Sequence, residues 1–206
     1  MTARASRSVV DLYQRQGAAW AALRTTRLVE AKWLDRFCTL LPGGTAILDI
    51  GCGSGLPIAR DLTRRGFDVT GVDAAETMLV LFRQNLPDMT AHRCDMRQLA
   101  LGRRFAGLLA WDSFFHLSPD EQRGMFPRFA AHANPDAALM FTSGNAEGAA
   151  IGALEGEPLY HGSLDPEEYR TLLNANGFDV VAHLVEDPDS RNRTVWLARR
   201  HSAERD

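Results

Sequence analysis

Long apolar runs are missing from this 206-residue chain; none approaches the roughly 18 residues that a membrane span requires. The first residues also lack the apolar core of a cleavable leader, so a cytoplasmic location with no membrane partner is expected. Cysteine is scarce. Cys38, Cys52 and Cys94 are the only three, an odd number without metal-ligand spacing. That argues against a disulfide framework or a zinc site and suits reduced, mostly buried thiols. There is no block of positive charge either. The formal net charge is −3, with arginines scattered along the chain, which argues against nucleic-acid binding through phosphate neutralisation. Internal repeats and low-complexity linkers are absent. The length is that of one domain, sufficient to bury roughly 70% of the unfolded surface.

The most informative segment is Ile47-Leu48-Asp49-Ile50-Gly51-Cys52-Gly53-Ser54-Gly55. An apolar run with strand character gives way to glycines on alternate positions and then to a helix near Pro57. Glycine permits backbone angles forbidden to other residues and lets a ligand approach the main chain. A second apolar run ends in Asp73, where the next strand of a βαβ unit should end. A carboxylate there can accept hydrogen bonds from both vicinal hydroxyls of a ribose. The dinucleotide fingerprint G-x-G-x-x-G wants a small residue at position 56, and this chain has Leu56. Asp49, still on the strand, would repel a pyrophosphate but suits an ammonium or sulfonium charge.

These residues resemble motif I of the class I S-adenosylmethionine-dependent methyltransferases, with Asp73 matching the ribose-binding acid. The resemblance implies S-adenosyl-L-methionine as cofactor, held by Asp49, Gly51, Cys52, Gly53 and Asp73, with Ala74 and Met78 just beyond. It continues at Cys94-Asp95-Met96, where Asp95 and Met96 would contact the adenine, and at Trp111, against the adenosyl group. Gly51, Asp73, Asp95 and Trp111 would all fall at the carboxyl edge of a parallel sheet, where ligands of open α/β sheets bind.

Alternation supports the same fold class independently. Strands are expected at about 45–50, 68–72, 90–94, 105–111 and 137–142, with helices at 56–65, 75–85 and 119–132. Ser118-Pro119-Asp120-Glu121 reads as a capping box with proline in the first turn. Asp165-Pro166-Glu167-Glu168 opens a last helix that Gly177 ends. Two final strands, about 178–186 and 192–199, are joined too closely to be parallel. The expectation is an α/β fold, a doubly wound, mostly parallel seven-stranded sheet in the order 3-2-1-4-5-7-6. It forms a single domain, 1–206, with an N-terminal helical cap over 1–41 and a Rossmann-like core over 42–206. The cap is expected to cover the cofactor as a lid, with Tyr13, Trp20, Arg24 and Arg27 within it.

Methyl transfer by in-line displacement obliges no particular catalytic signature, because the cofactor carries the reactive group. Asp112 and His116 are the polar candidates near the methyl position; His116 is the candidate base, Asp112 a candidate for catalysis or for bonding the turn. Ser143 to Leu164, with five glycines, reads as a long loop leaving the fifth strand, and Tyr160 and His161 as acceptor-pocket residues within it. No metal site is expected. A small organic acceptor is favoured, the alternatives being a non-catalytic sensor or partner subunit that binds the same cofactor, or a nucleotide-dependent oxidoreductase.

Overall fold

The computed structural model describes residues 2–24 and 27–202, so Met1, Thr25, Thr26 and 203–206 of the expected domain lie outside the described residues. The chain opens with two helices, α1 (Thr2–Leu23) and α2 (Ala31–Thr39). Strands and helices then alternate as β1 (Ala46–Ile50), α3 (Ile58–Arg64), β2 (Asp68–Asp73), α4 (Glu76–Asn85), β3 (Thr90–Arg93), β4 (Phe105–Ala110), α5 (Pro119–His132) and β5 (Ala133–Ser143). A hairpin follows, β6 (Gly148–Leu154) and β7 (Glu157–Ser163), then α6 (Pro166–Ala175), β8 (Phe178–Asp187) and β9 (Arg193–Arg200).

The main sheet has seven strands in the order β3-β2-β1-β4-β5-β9-β8. β1 to β5 are parallel, and β9 runs antiparallel between β5 and β8. With β8 and β9 as the sixth and seventh strands of the sheet, this is the expected order. The central strands are apolar on both faces because both are covered. Leu48, Leu108, Leu139 and Trp196 face α5 and α6, whereas Ile47, Leu109, Met140 and Leu197 face α2 and α3. Gly107 of β4 lets α2 sit directly on the sheet, since a Cβ there would lie 2.7 Å from Phe37. Of the two helices of the expected cap, α2 thus belongs to the core, where it buries Trp33, Leu34 and Phe37.

The segment from Ser143 to Leu164 departs from expectation: it is an antiparallel hairpin with its own two-stranded sheet, not a structureless loop. Glu155 and Gly156 both have positive φ, 49° and 78°, the two-residue turn whose twist matches flanking strands. No alternation betrays β6, because residues 148–153 are exposed. The hairpin instead buries Leu154, Leu159 and Tyr160 against Val9 and Leu12 of α1, a partner far away in sequence.

One buried network fastens this hairpin to the domain. The Gln122 amide nitrogen donates to Leu117 O and Gly162 O, both at 2.9 Å, and its oxygen accepts from Tyr169 Oη at 2.5 Å. Tyr169 Oη in turn accepts from Leu164 N. Gln122 is fully buried, so a replacement without polar atoms takes a donor from two carbonyls and an acceptor from the Tyr169 phenol. Gln122→Leu is expected to lower unfolding stability by about 2–4 kcal/mol, from unpaired buried groups at about 1–3 kcal/mol each. Urea denaturation checks this, and a loss below about 1 kcal/mol would contradict the role given to the network.

Candidate active site

β1 carries Asp49 inward, 5% exposed, where no described residue hydrogen-bonds its carboxyl. Burial is the main force that pushes this acid up to about 7; nearby Asp73 adds to the shift and Arg24 opposes it. After Ile50 the chain turns across β2, with Gly51 N and Cys52 N both donating to Val72 O. Gly51 has φ 76°, and a Cβ there would lie 2.3 Å from that of Ser113, whose hydroxyl donates to Ile50 O. Gly53 has φ 54°, and its missing Cβ would project between Met78 and Trp20. The glycine at 51 thus answers to a neighbouring loop, and the one at 53 leaves main chain bare beside the cavity.

Asp73 accepts from Gly53 N through one oxygen at 3.0 Å and from Ala75 N through the other at 2.9 Å. Burial raises its pKa and these backbone donors oppose the rise. Asp95 receives Arg97 N at 2.9 Å and the Arg97 guanidinium, which also bonds Glu121 at 3.1 Å.

These elements enclose a cavity of about 950 Å³, mouth included, at the carboxyl edge of the sheet. Asp49, Gly51, Cys52, Gly53, Asp73 and Ala74 line it, together with Met78, Asp95, Met96 and Trp111. Asp112 and His116 line it as well. Asp112, at φ 51°, is held by a bidentate ion pair with Arg193 at 2.7 and 2.9 Å, which engages both carboxyl oxygens. His116 is buried, and burial pulls its pKa down to about 4, so the ring is neutral near pH 7. Its Nδ1 lies 2.9 Å from the Tyr160 carbonyl and its Nε2 3.3 Å from the Tyr13 hydroxyl.

Tyr160 and His161 are not on the cavity wall. The Tyr160 side chain packs with α1, 2% exposed, and its hydroxyl is buried without a partner. The His161 ring stands behind His116, centroids 5.1 Å apart. Among the described residues no group of histidines, cysteines and acids is arranged to hold a metal ion.

Part of the expected amino-terminal cap also forms wall, and Val9 joins the residues named for it. Val9, Tyr13, Trp20 and Arg24 line the cavity from one face of the amino-terminal segment. Arg24 bonds Glu30 at 3.1 Å and lies 3.8 Å from Asp112. The spacing 9, 13, 20, 24 is helical and was the available signal; polar and alanine residues around it blurred the stripe.

The family described as "Methyltransferase domain" matches residues 47–136. A dTDP-3-amino-3,4,6-trideoxy-alpha-D-glucopyranose N,N-dimethyltransferase of Streptomyces venezuelae is 34% identical over 96 residues, covering 46% of this chain and 40% of that one. A ubiquinone biosynthesis O-methyltransferase of Azorhizobium caulinodans is 32% identical over 166 residues, covering 70% of this chain and 64% of that one. The chain therefore spans less than two thirds of the length of these relatives. Among solved structures, the amino pentose methyltransferase CalS10 of Micromonospora echinaspora superposes with a TM-score of 0.70 at 20% identity, over 90% of this chain and 96% of that one. At that identity the likeness is one of fold. Over residues 47–136 the chain is thus similar to the methyltransferase-domain family, and its seven-stranded sheet has the fold of these solved methyltransferases.

Proposed function

We propose that this chain transfers a methyl group from S-adenosyl-L-methionine to a small organic acceptor. One observation carries the reading: Asp49 and Arg24 both line the cavity whose glycine-lined main chain is tied to Asp73. The chain's residues fit that cofactor. An amino-acid zwitterion matches a buried carboxyl on one side and a guanidinium on the other, and Asp73 keeps lone pairs for ribose hydroxyls. Asp95 and Met96 would border the adenine, and Trp111 the adenosyl group.

When bound, the cofactor supplies an activated methyl on a positively charged sulfur. The chain's own part is to hold the acceptor against that position and to exclude water. α1 and the hairpin close over the cavity, tied outside by Arg15 and Gln16 to Glu157. His116 offers its ring to the acceptor, and Asp112, anchored by Arg193, keeps negative charge beside it. Tyr160 acts from behind through its carbonyl, and His161 through its ring packed on His116. The named relatives act on small molecules, and no helix among the described residues is long and apolar enough to cross a membrane. With a formal net charge of −3, we take the acceptor to be a free small molecule in the cytoplasm, not nucleic acid. Binding without transfer is the second reading, favoured by the ion-paired state of Asp112 and the weakly basic His116.

Transfer of labelled methyl from S-adenosylmethionine to phenols, amines and sugars separates the two readings; binding with no transfer to any acceptor would leave only the second. Asp73→Asn is expected to weaken cofactor binding about 10- to 100-fold, the value of one hydrogen bond to a charged group at about 1.5–3 kcal/mol. Calorimetry checks this, and unchanged affinity would remove the ribose assignment. Asp49 gives a further expectation. With a pKa of about 7 it is part-protonated near neutrality, and a cationic ligand favours its ionised form. Binding should therefore release a proton below about pH 7, and affinity should rise between about pH 5.5 and about pH 7.5 and then level off. Calorimetry in two buffers of different ionisation heat measures that proton, which Asp49→Asn should abolish.

A further inference from the structure

The β6–β7 hairpin has two outer edges, and the domain uses one of them. Glu155 and Gly156 make a two-residue turn, so Leu154 and Glu157 close the ladder as a hydrogen-bonded pair. Such pairs alternate along an antiparallel ladder. Leu154, Gly152, Ala150 and Gly148 therefore turn their main-chain groups inward to β7, whereas Ala153, Ile151 and Ala149 turn theirs outward. On β7 the outward residues are Pro158, Tyr160 and Gly162. Three features of β7 fit this phase. Pro158 has no N–H that the ladder could miss, the Tyr160 carbonyl lies 2.9 Å from His116 Nδ1, and the Gly162 carbonyl accepts from Gln122 at 2.9 Å. On β6 the matching groups are open: outside the hairpin, no described residue hydrogen-bonds the main chain of Ala149, Ile151 or Ala153. Residues 148–153 are all exposed, Ile151 at 61%. The strand keeps one register with β7 throughout, and nothing from Gly148 to Leu154 is charged. An even, uncharged outer strand is a template for another strand.

We propose that two copies of this chain join through β6, strand against antiparallel strand, about a two-fold axis at Ile151. This surface goes beyond the methyl-transfer reading and stands without it. With the axis there, Ile151 faces its own copy and each Ala149 faces the other copy's Ala153. These are the residues with outward main-chain groups, so every such pair can exchange both of its hydrogen bonds. Between them Ala150 faces Gly152, two small residues at the closely spaced positions of the ladder. The segment is nearly its own mirror about Ile151, and that symmetry singles out a second copy over an unrelated strand. Because the domain already covers the β7 edge, the assembly closes at two copies and does not grow into a fibre. Ile151 stands opposite Tyr160 on one face of the hairpin, and Tyr160 packs with Val9 and Leu12. Joining would bring both Ile151 side chains together on that face. Acids limit the joint. Glu147 would face the other copy's Glu155 at each end, so the pairing holds through residues 149–153.

One strand pair covers less than a standard interface, so the dimer should be weak, with a Kd on the order of 10–100 µM. Sedimentation velocity of the full chain from about 1 to about 300 µM should show monomer passing to dimer. A monomer throughout overturns the proposal. Ile151→Pro is the matched variant, because it deletes an outward N–H that the second copy needs and none that β7 uses. It should abolish the dimer while leaving the circular dichroism unchanged. A dimer that survives it lies elsewhere, which overturns the proposal too. If Ile151→Pro misfolds, Ile151→Asp makes the same test by setting two like charges face to face. The register has its own test. A mixture of Ala149→Cys and Ala153→Cys chains should form a cross-chain disulfide with oxidised glutathione, since the paired Cα atoms would lie about 5.5 Å apart, within disulfide reach. Neither variant alone should do so, nor should the unsubstituted chain. No disulfide in the mixture, or one in either variant alone, overturns the axis at Ile151. Glu155→Lys should tighten the dimer about threefold or more by making each end pair attractive, and an equal or looser dimer overturns the same register.

Discussion

The carboxylate of Asp73 joins the two turns on which the cavity depends. One oxygen holds the glycine turn after β1 through Gly53 N, and the other holds the start of α4 through Ala75 N. Parallel strands put these turns side by side, but nothing in a sheet fixes the distance between them. A short acid at the end of β2 does, because it reaches both main chains at once. The price is burial of a charge, which the backbone donors offset in part. Asp49, one strand away, has no such donors, and its raised pKa records the difference. Two acids on adjacent strands thus have separate characters, one bonded to the fold and one left open towards the cavity.

Closure comes from parts far apart in sequence. α1 lies over the cavity, and the β6–β7 hairpin packs against α1 through Leu154, Leu159 and Tyr160. The hairpin's carbonyl at Tyr160 then reaches under α1 to His116, while Tyr13 of α1 reaches the same ring from above. α1 and the hairpin therefore share one histidine as well as an apolar seam.

Much of the fold could be read from local chemistry. Ser118 and Glu121 form the expected capping box, and Asp165 caps α6 through Glu167 N. The apolar runs at β1, β2 and β4 had strand character whatever their neighbours. β5 was foreshortened in the reading, because Asn134-Pro135-Asp136 has the composition of a turn although the strand begins at Ala133. The cavity wall was legible where a motif marks the main chain, as at Gly51, Asp73 and Asp95. It was not legible where a long-range contact decides. Nothing local to Arg24 announces Glu30 and Asp112, and nothing local to Asp112 announces Arg193, 81 residues on. The hairpin was hidden for the same reason: half of its core belongs to α1.

The outermost strand of the sheet has irregular pairing with β9, shifting register between Val180 and Ala182 and again between Leu184 and Asp187. Val181, Leu184 and Val185 are nearly half exposed on this strand, a composition that invites another chain to add itself along the free border. Each shift kinks the ribbon and spoils the even row of amide and carbonyl groups that a docking strand would need. The register shifts thus work against strand addition at the same border that its exposed apolar side chains would otherwise favour.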